Sequence, residues 1–240
     1  MTKLRKTPIW QAIARALTAE IADKIYVPGD KLPTEAELAD RFGVNRHTVR
    51  HAIKAMVDEK LVRTRRGAGA YVTASPTEYP IGKRVRFHQN ILAGGQTPEK
   101  QVLQIEERPA TPKEAARLDI PPKSPLVIYH GLSLADGNPI ALFSSHFPGA
   151  RLPGIVAALT EETGVTEALK RCGVDDYTRV STRISARAAT ATQALHLHVD
   201  EGAPLVYTTS LNADADGKPI EYGMTWFAGD RVTLTIDGLA

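Results

Sequence analysis

The strongest constraint on this 240-residue chain is the stretch Leu32–Tyr71, in which two helical patterns are separated by a short turn. Thr34 followed by Glu37 forms the pattern of a capping box, which predicts that a helix starts there. Gly43 stands where the end of a helix needs a residue that tolerates left-handed backbone. Asn45 is a favourable N-cap for a second helix. The stretch therefore predicts a helix-turn-helix.

The second of these helices has two chemically different faces. Its apolar residues recur at helical spacing: Val49, Ala52, Ile53, Met56 and Val57. The opposite face carries Arg46, His47, Arg50, His51 and Lys54. A short helix with a buried aliphatic side and a cationic outer side is typical of a recognition helix in a DNA major groove.

A basic hairpin pattern follows. Residues 61–65 and 70–73 are predicted to be short strands, joined by a turn that contains Gly67 and Gly69. Arg63, Arg65 and Arg66 supply cations for phosphates or a minor groove. Helices and hairpin together predict a winged helix-turn-helix. The alternative is a three-helix scaffold with a merely solvated basic face.

An earlier helix completes this predicted unit. It starts at Pro8, reaches about Tyr26, and has an apolar stripe that assigns Trp10 to the core: Trp10, Ile13, Leu17, Ile21 and Ile25. Residues 1–75 hold 14 lysines and arginines against 8 acidic residues, whereas residues 76–240 hold 16 against 19. This asymmetry indicates that only the first part meets nucleic acid.

Composition excludes several classes of protein. Cys172 is the only cysteine, which excludes a disulfide framework and a cysteine metal cluster and suits a reducing cytosol. His196 and His198 form an isolated pair, so we expect no metal site and no cofactor. No apolar run approaches about 18 residues, and the first ten residues lack the apolar stretch of a signal peptide. We therefore expect a cytoplasmic protein that does not span a membrane.

The second part contains an internal repeat. Residues 108–118 are echoed by 187–197 and residues 125–127 by 204–206, at an offset of 79; residues 136–140 are echoed by 216–220 at an offset of 80. Each copy reads as strand, capped helix, strand, Asp-Gly turn and strand. Two copies predict an α+β domain with about six antiparallel strands and helices on one face. A further helix is expected at about Val165 to Cys172.

Alternation in the last strand of each copy predicts two faces. One set should face the helices: Ile140, Leu142, Ile220, Tyr222, Met224 and Trp226. The other set contains Ala141, Phe143, Ser145, Glu221, Gly223 and Thr225. A carboxylate among small and hydroxylated residues suggests a polar pocket, and an ordinary solvated face remains the alternative.

We place the domains at residues 1–75 and 78–240, on either side of a short linker.

Residues 32–53 and 61–72 resemble the DNA-binding domain of the GntR family of bacterial transcription regulators. Ala36, Lys60 and Ala68 depart from the family pattern, the first and last by loss of a cation. The resemblance implies DNA contacts at Thr34, Glu35, Arg46, His47, Thr48, Arg50, His51, Arg65, Arg66 and Gly67. Arg46 and Arg50 are the expected guanine readers, and Arg66 with Gly67 the wing tip.

The repeat with its two Asp-Gly turns resembles the UTRA effector-binding domain of the HutC subfamily, which implies a chorismate-lyase-like α+β fold and a small-metabolite ligand. Residues 45–48, 79–80, 86–90, 179–187 and 220–222 are most similar to PhnF-type regulators of phosphonate utilisation. The resemblance implies a small anionic effector bound by Arg86, Phe87, His88, Ser145, Thr166, Arg183, Glu221 and Tyr222. Relatives that sense sugar phosphates carry Arg-x-Arg where this chain has Gly131 and Ser133.

The leading hypothesis is a repressor that binds a palindromic operator in double-stranded DNA as a homodimer and answers to a phosphonate- or phosphate-type effector. One alternative is a regulator of another catabolic pathway, for a sugar phosphate or another acid. The other is a small-molecule enzyme with a vestigial winged domain, in which Glu221 acts as a general acid. Because no catalytic signature appears elsewhere, we expect no enzyme activity and no catalytic residues.

Overall fold

The computed structural model of the chain describes residues 8–65, 69–73, 76–84, 86–162 and 164–236. These residues form two compact units, one up to position 73 and the other from position 76. Within the described residues, no helix is long and apolar enough to cross a membrane.

The first unit is a winged helix-turn-helix, as predicted. Three helices, α1 (Ile9–Ala22), α2 (Glu35–Phe42) and α3 (Arg46–Asp58), are followed by an antiparallel pair, β1 (Val62–Arg65) and β2 (Gly69–Val72). Their aliphatic side chains share one core that includes Leu17, Leu38, Val49 and Met56. Burial of this core holds α3 against α1 and leaves the opposite side of α3 exposed.

The predicted helix signals of the turn are confirmed. Thr34 accepts a hydrogen bond from the Glu37 amide, and the Glu37 carboxylate accepts one from the Thr34 amide, which completes the capping box. Gly43 ends α2 in left-handed backbone with φ 63°. The Asn45 side chain accepts from the Thr48 amide at 2.9 Å and caps α3. Local hydrogen bonding therefore sets both ends of the turn.

The predicted end of the first helix was wrong. The helix stops at Ala22 because Lys24 adopts φ 60°, and the Ile25 amide then bonds back to the Glu20 carbonyl. This closure turns the chain out of the helix, as in a Schellman motif. Ile25 is 63% exposed and does not continue the apolar stripe.

The second unit is built around one sheet. Its elements in chain order are β3 (Thr77–Pro80), α4 (Phe87–Ala93), β4 (Pro98–Pro109), α5 (Pro112–Leu118), β5 (Pro125–Ala135), β6 (Asn138–Pro148), a 3-10 turn (Gly149–Arg151), α6 (Ile155–Glu161), α7 (Val165–Arg171), β7 (Tyr177–Ala188), α8 (Ala191–Leu197), β8 (Pro204–Asp214), β9 (Pro219–Ala228) and β10 (Val232–Thr235). The antiparallel sheet has the order β4-β5-β6-β9-β8-β7, and β3 pairs with β10 in parallel.

The repeat predicted from the sequence determines this order. Each copy supplies three strands, and the copies meet where β6 pairs with β9. Capping boxes at Thr111 and Thr190 start α5 and α8. Asp119 and His198, 79 positions apart, end those helices in left-handed backbone. The unit is therefore the predicted α+β fold with a pseudo-two-fold axis through the centre of the sheet.

Helices cover both faces of the sheet, so the prediction of helices on one face was wrong. Leu126 and Ile128 of β5 pack with α5, whereas Val127 and Tyr129 pack with α6 and α7. Consecutive strand residues point to opposite faces, and these two clusters therefore lie on opposite sides. The helices between the copies, α6 and α7, cover the side that the repeat helices leave open.

Two bulges also break the predicted alternation. The register of β5 with β6 shifts at Ser133/Leu134, and that of β8 with β9 shifts at Asn212/Ala213. As a result, Ile140 packs with Ala141 and Phe227, and Ile220 packs with Phe143. Both isoleucines thus lie with the set predicted for the other face. A bulge adds one residue to a strand and reverses the facing of its neighbours.

Candidate nucleic-acid interface and ligand cavity

The outer side of α3 presents the residues expected to meet DNA. Arg46, His47, Arg50 and His51 are exposed and Thr48 is half-buried. The Thr48 hydroxyl also bonds to the Asn45 side chain at 3.0 Å, so it belongs to the cap of α3. A cationic side on an exposed, capped helix is chemically suited to the phosphates and base edges of a major groove.

Arg50 is fixed in place by Glu35. Its Nε and Nη2 donate to the two carboxylate oxygens of Glu35 at 2.9 and 2.6 Å. This pair lowers the pKa of the Glu35 carboxyl and raises the pKa of the Arg50 guanidinium. The pair was not predictable from the sequence because the two residues are 15 positions apart on different helices.

His51 makes an aromatic contact that the sequence analysis also missed. Its ring stacks on Trp10 of α1 with 4.3 Å between centroids and 17° between planes. Trp10 is half-buried and packs against the core, so its ring lies at the edge of the core. Arg65 ends β1, and the predicted wing-tip residues Arg66 and Gly67 lie outside the described residues.

The second unit contains a cavity of about 270 Å³ on the sheet face that α4 and α7 cover. Six of the residues predicted for the effector line it: Arg86, Phe87, His88, Ser145, Thr166 and Glu221. Arg86 donates to Asp176 at 2.6 Å and to Thr166 at 3.3 Å, and its guanidinium lies over the Tyr177 ring at 4.5 Å. Arg86 is therefore already paired with a carboxylate.

Arg183 and Tyr222 lie elsewhere, which corrects the expectation that they share a site with Arg86. Both line a small depression on the other face of the sheet. The cause is a register shift in β7 between Arg179 and Ser181, which turns Arg183 away from the cavity. Tyr222 follows Glu221 in β9 and alternation places it on the side of α5.

Lys100 and Arg179 also line the cavity, although neither was among the residues predicted for the effector. Burial lowers the pKa of Lys100 to about 8, while the nearby Glu221 charge opposes that shift. The Lys100 ammonium lies 4.8 Å from the centroid of the Phe143 ring. The repeat held a usable signal, because Lys100 and Arg179 are 79 positions apart and pair with Ser133 and Asn212, which are also 79 apart.

Glu221 is the buried acid of the cavity, at 8% exposure. Ser145 Oγ donates to one carboxylate oxygen at 2.6 Å, and Asn212 Nδ2 donates to the other at 2.7 Å. Asn212 Oδ1 accepts from Arg179 Nε at 2.6 Å. Nearby, burial and the Lys100 charge lower the pKa of His88. Of the two alternatives that the sequence left open for this face, the structure therefore has the polar, charged cavity and not the ordinary solvated face.

A winged helix-turn-helix in the same chain as a domain with a ligand-sized polar cavity defines a ligand-responsive transcription regulator. Residues 10–72 match the model for bacterial regulatory proteins of the gntR family, and residues 93–233 match the model for the UTRA domain. The chain belongs to the GntR family of transcription regulators, in the UTRA-containing HutC branch that includes PhnF-type proteins.

Individual relatives agree with this assignment. The chain is 38% identical to the "Uncharacterized HTH-type transcriptional regulator RB1450" of Rhizobium meliloti (strain 1021), over 95% of this chain and 94% of the relative. It is 32% identical to the "Probable transcriptional regulator PhnF" of Escherichia coli (strain K12), over 95% and 94%.

Among solved structures, the crystal structure of PhnF from Mycobacterium smegmatis superposes with a TM-score of 0.67 at 24% identity, and covers 95% of this chain and 99% of that chain. This likeness confirms the fold. The matched families and relatives are transcriptional regulators, not enzymes. The expectation of a DNA-binding transcription regulator is therefore confirmed, and the enzyme alternative is not supported.

Proposed function

We propose that this chain is a repressor that binds a palindromic operator as a homodimer and releases it when a small phosphonate- or phosphate-type effector enters the cavity. Residues 1–75 form the DNA-binding domain of this proposal and residues 78–240 the effector-binding domain. The main support for an anionic effector is a pair of cations in the cavity. Lys100 and Arg179 occupy equivalent positions of the two repeats, and their contacts are to aromatic rings and neutral oxygens.

On the DNA side, Arg46 and Arg50 read guanine edges, each with about 1–3 kcal/mol of discrimination if bidentate. His47, His51 and Arg65 flank this contact. Thr48 and the amides near Thr34 and Glu35 position phosphates, while Arg66 and Gly67 enter the minor groove. The exposed cationic side of α3 supports this part of the proposal. A 26% identical relative is a repressor, the "HTH-type transcriptional repressor NagR" of Bacillus subtilis (strain 168), which supports repression as the sign of regulation.

On the effector side, an anion between Lys100 and Arg179 gains charge-assisted hydrogen bonds in a partly desolvated site. Arg86 contributes less, because it is already ion-paired with Asp176, a carboxylate that it shares with Arg84. The relative named PhnF supports the phosphonate branch of the subfamily. Of the remaining predicted residues, His88, Phe87 and Thr166 line the same cavity, whereas Arg183 and Tyr222 do not.

The cavity does not favour a sugar phosphate held by Arg-x-Arg. A Cβ at Gly131 would lie 2.6 Å from Phe143 Cζ and 2.7 Å from the Gln101 carbonyl oxygen. An arginine there would have to displace the Phe143 ring and the neighbouring strand. Phe143 itself contacts Lys100, so an arginine at position 131 and this arrangement of Lys100 exclude each other.

Release of the operator requires that the effector prefer one conformational state of the protein. To move the population from mostly DNA-competent to mostly DNA-incompetent, the preference must reach about 5.5 kcal/mol. A ligand with equal affinity for both states would change nothing, however tightly it bound.

The test is a titration of operator-bound protein with alkylphosphonates, inorganic phosphate and glucosamine 6-phosphate. A phosphonate or phosphate is expected to release the DNA. Arg179→Gln should abolish release, while Arg183→Gln, the same change on the opposite face of the same strand, should preserve it. Release by the sugar phosphate alone, or a larger effect of Arg183→Gln, would contradict the proposal.

A further inference from the structure

The cavity holds a carboxylate that an anionic effector does not need. Glu221 is buried at the cavity floor, and both of its hydrogen bonds come from neutral donors, Ser145 and Asn212. No ion pair to Glu221 forms within the described ranges of the chain. A carboxylate oxygen accepts more than one hydrogen bond, so both oxygens retain accepting capacity. A buried carboxylate without a directly paired cation is costly, and a ligand's ammonium can supply that pair.

Among the described residues, the cations of the cavity form no direct ion pair with Glu221. Asn212 stands between the charges, because its Nδ2 donates to Glu221 and its Oδ1 accepts from Arg179. In the part of the chain that the structure describes, the Lys100 ammonium forms no hydrogen bond or ion pair and rests against Phe143. Opposite charges are therefore held in one small cavity without being paired.

We infer that the effector is a short zwitterion, an aminoalkylphosphonate, with its acidic group between Lys100 and Arg179 and its ammonium on Glu221. This inference rests on the proposed function, because it takes the cavity as the effector site. The cavity volume of about 270 Å³ suits a molecule with few heavy atoms.

The repeat supports one binding orientation. Lys100 and Arg179 are equivalent positions of the two copies, and so are Ser133 and Asn212. Glu221 is equivalent to Ala141 at the offset of 80, so the carboxylate is present in one copy only. Because β9 lies between β4 and β7 in the sheet, the single acid lies between the strands of the two cations and favours a ligand whose ammonium points towards β9.

The experiment is calorimetric binding to the full chain with two probes of the same shape, 2-aminoethylphosphonate and propylphosphonate. They differ by an ammonium in place of a methyl group. We expect the aminated probe to bind about 30-fold more tightly, which corresponds to about 2 kcal/mol. Glu221→Gln should reduce that ratio to about threefold or less while propylphosphonate still binds, which also shows that the variant is folded. Glu167→Gln, at the cavity edge where Glu167 pairs with Lys170, is the control that should keep the ratio.

The outcomes separate the two claims. Equal binding of both probes by the unaltered chain, or a preference that survives Glu221→Gln, overturns the inference and leaves the phosphonate proposal standing. If neither probe binds and neither releases operator DNA, the proposed effector class fails together with the inference.

Discussion

Arg50 on the recognition helix α3 donates two hydrogen bonds, of 2.9 and 2.6 Å, to the carboxylate of Glu35 at the start of α2. The pair connects the two helices of the helix-turn-helix and orients the guanidinium before DNA arrives. A planar guanidinium held by one carboxylate still has donors left for a base edge. Orientation of Arg50 reduces the side-chain entropy that binding would otherwise cost.

The first prediction concerns Arg50 itself. Arg50→Ala should weaken binding to the operator by about 1–3 kcal/mol, or about 5-fold to 150-fold, because a bidentate guanine contact is lost. Fluorescence anisotropy with labelled operator measures this loss, and calorimetry checks that the effector still binds. Arg15→Ala, which removes an exposed arginine from α1, is the charge-matched control. Unchanged operator affinity in Arg50→Ala would refute the assignment.

The second prediction separates orientation from charge at Glu35. Glu35→Gln removes a negative charge near the DNA, so binding to unrelated DNA should strengthen. The same change frees Arg50, so the ratio of operator affinity to unrelated-DNA affinity should fall about threefold to tenfold. Asp40→Asn, which alters an exposed acid of the same helix, is the control and should leave that ratio nearly unchanged. A ratio preserved in Glu35→Gln would show that the pair has no orienting role.

The third prediction concerns Lys60, which stands where the family pattern has glycine. Lys60 adopts φ 59°, a left-handed conformation that a lysine tolerates poorly. Lys60→Gly should raise the free energy of unfolding by about 1 kcal/mol, whereas Lys54→Gly inside α3 should lower it by about 1 kcal/mol. Urea unfolding in a Trp226→Phe background lets Trp10 report on the first unit. Destabilisation by both changes would contradict the strain assigned to Lys60.

The fourth prediction follows from the pKa of Lys100, which burial lowers to about 8. Below that pH the ammonium is charged and available to an anion; above it, binding must take up a proton. Affinity for propylphosphonate should therefore fall from about pH 8 to about pH 9.5, by at most about tenfold per pH unit. Lys100→Arg stays charged and should show a flatter profile with the same ligand. Identical profiles for the two proteins would exclude Lys100 as the titrating contact.

The sequence predicted the parts of the fold that local chemistry determines. The caps at Thr34, Asn45, Thr111 and Thr190 depend on residues three positions away, and the repeat depends on a fixed offset. Single-residue irregularities were not predictable in the same way. The bulge beside Arg179 sends Arg183 to the other face, and the left-handed Lys24 ends α1 early.

Contacts between side chains that are far apart in the sequence were also not predictable. No periodic rule connects Glu35 with Arg50, or Ser145 with Glu221, since tertiary packing alone brings them together. Lys100 and Arg179 are an exception. Applied to every charged residue, the offset of 79 would have identified them as equivalent positions of one cavity.

Operator recognition by the first unit can be measured by titrating the full chain into labelled DNA from upstream of its own gene, at several salt concentrations. We expect tight binding whose log K falls linearly with log salt, and affinity at least about 1000-fold above that for scrambled DNA of equal length. Equal affinity for upstream and scrambled DNA, or binding that salt does not weaken, would contradict it.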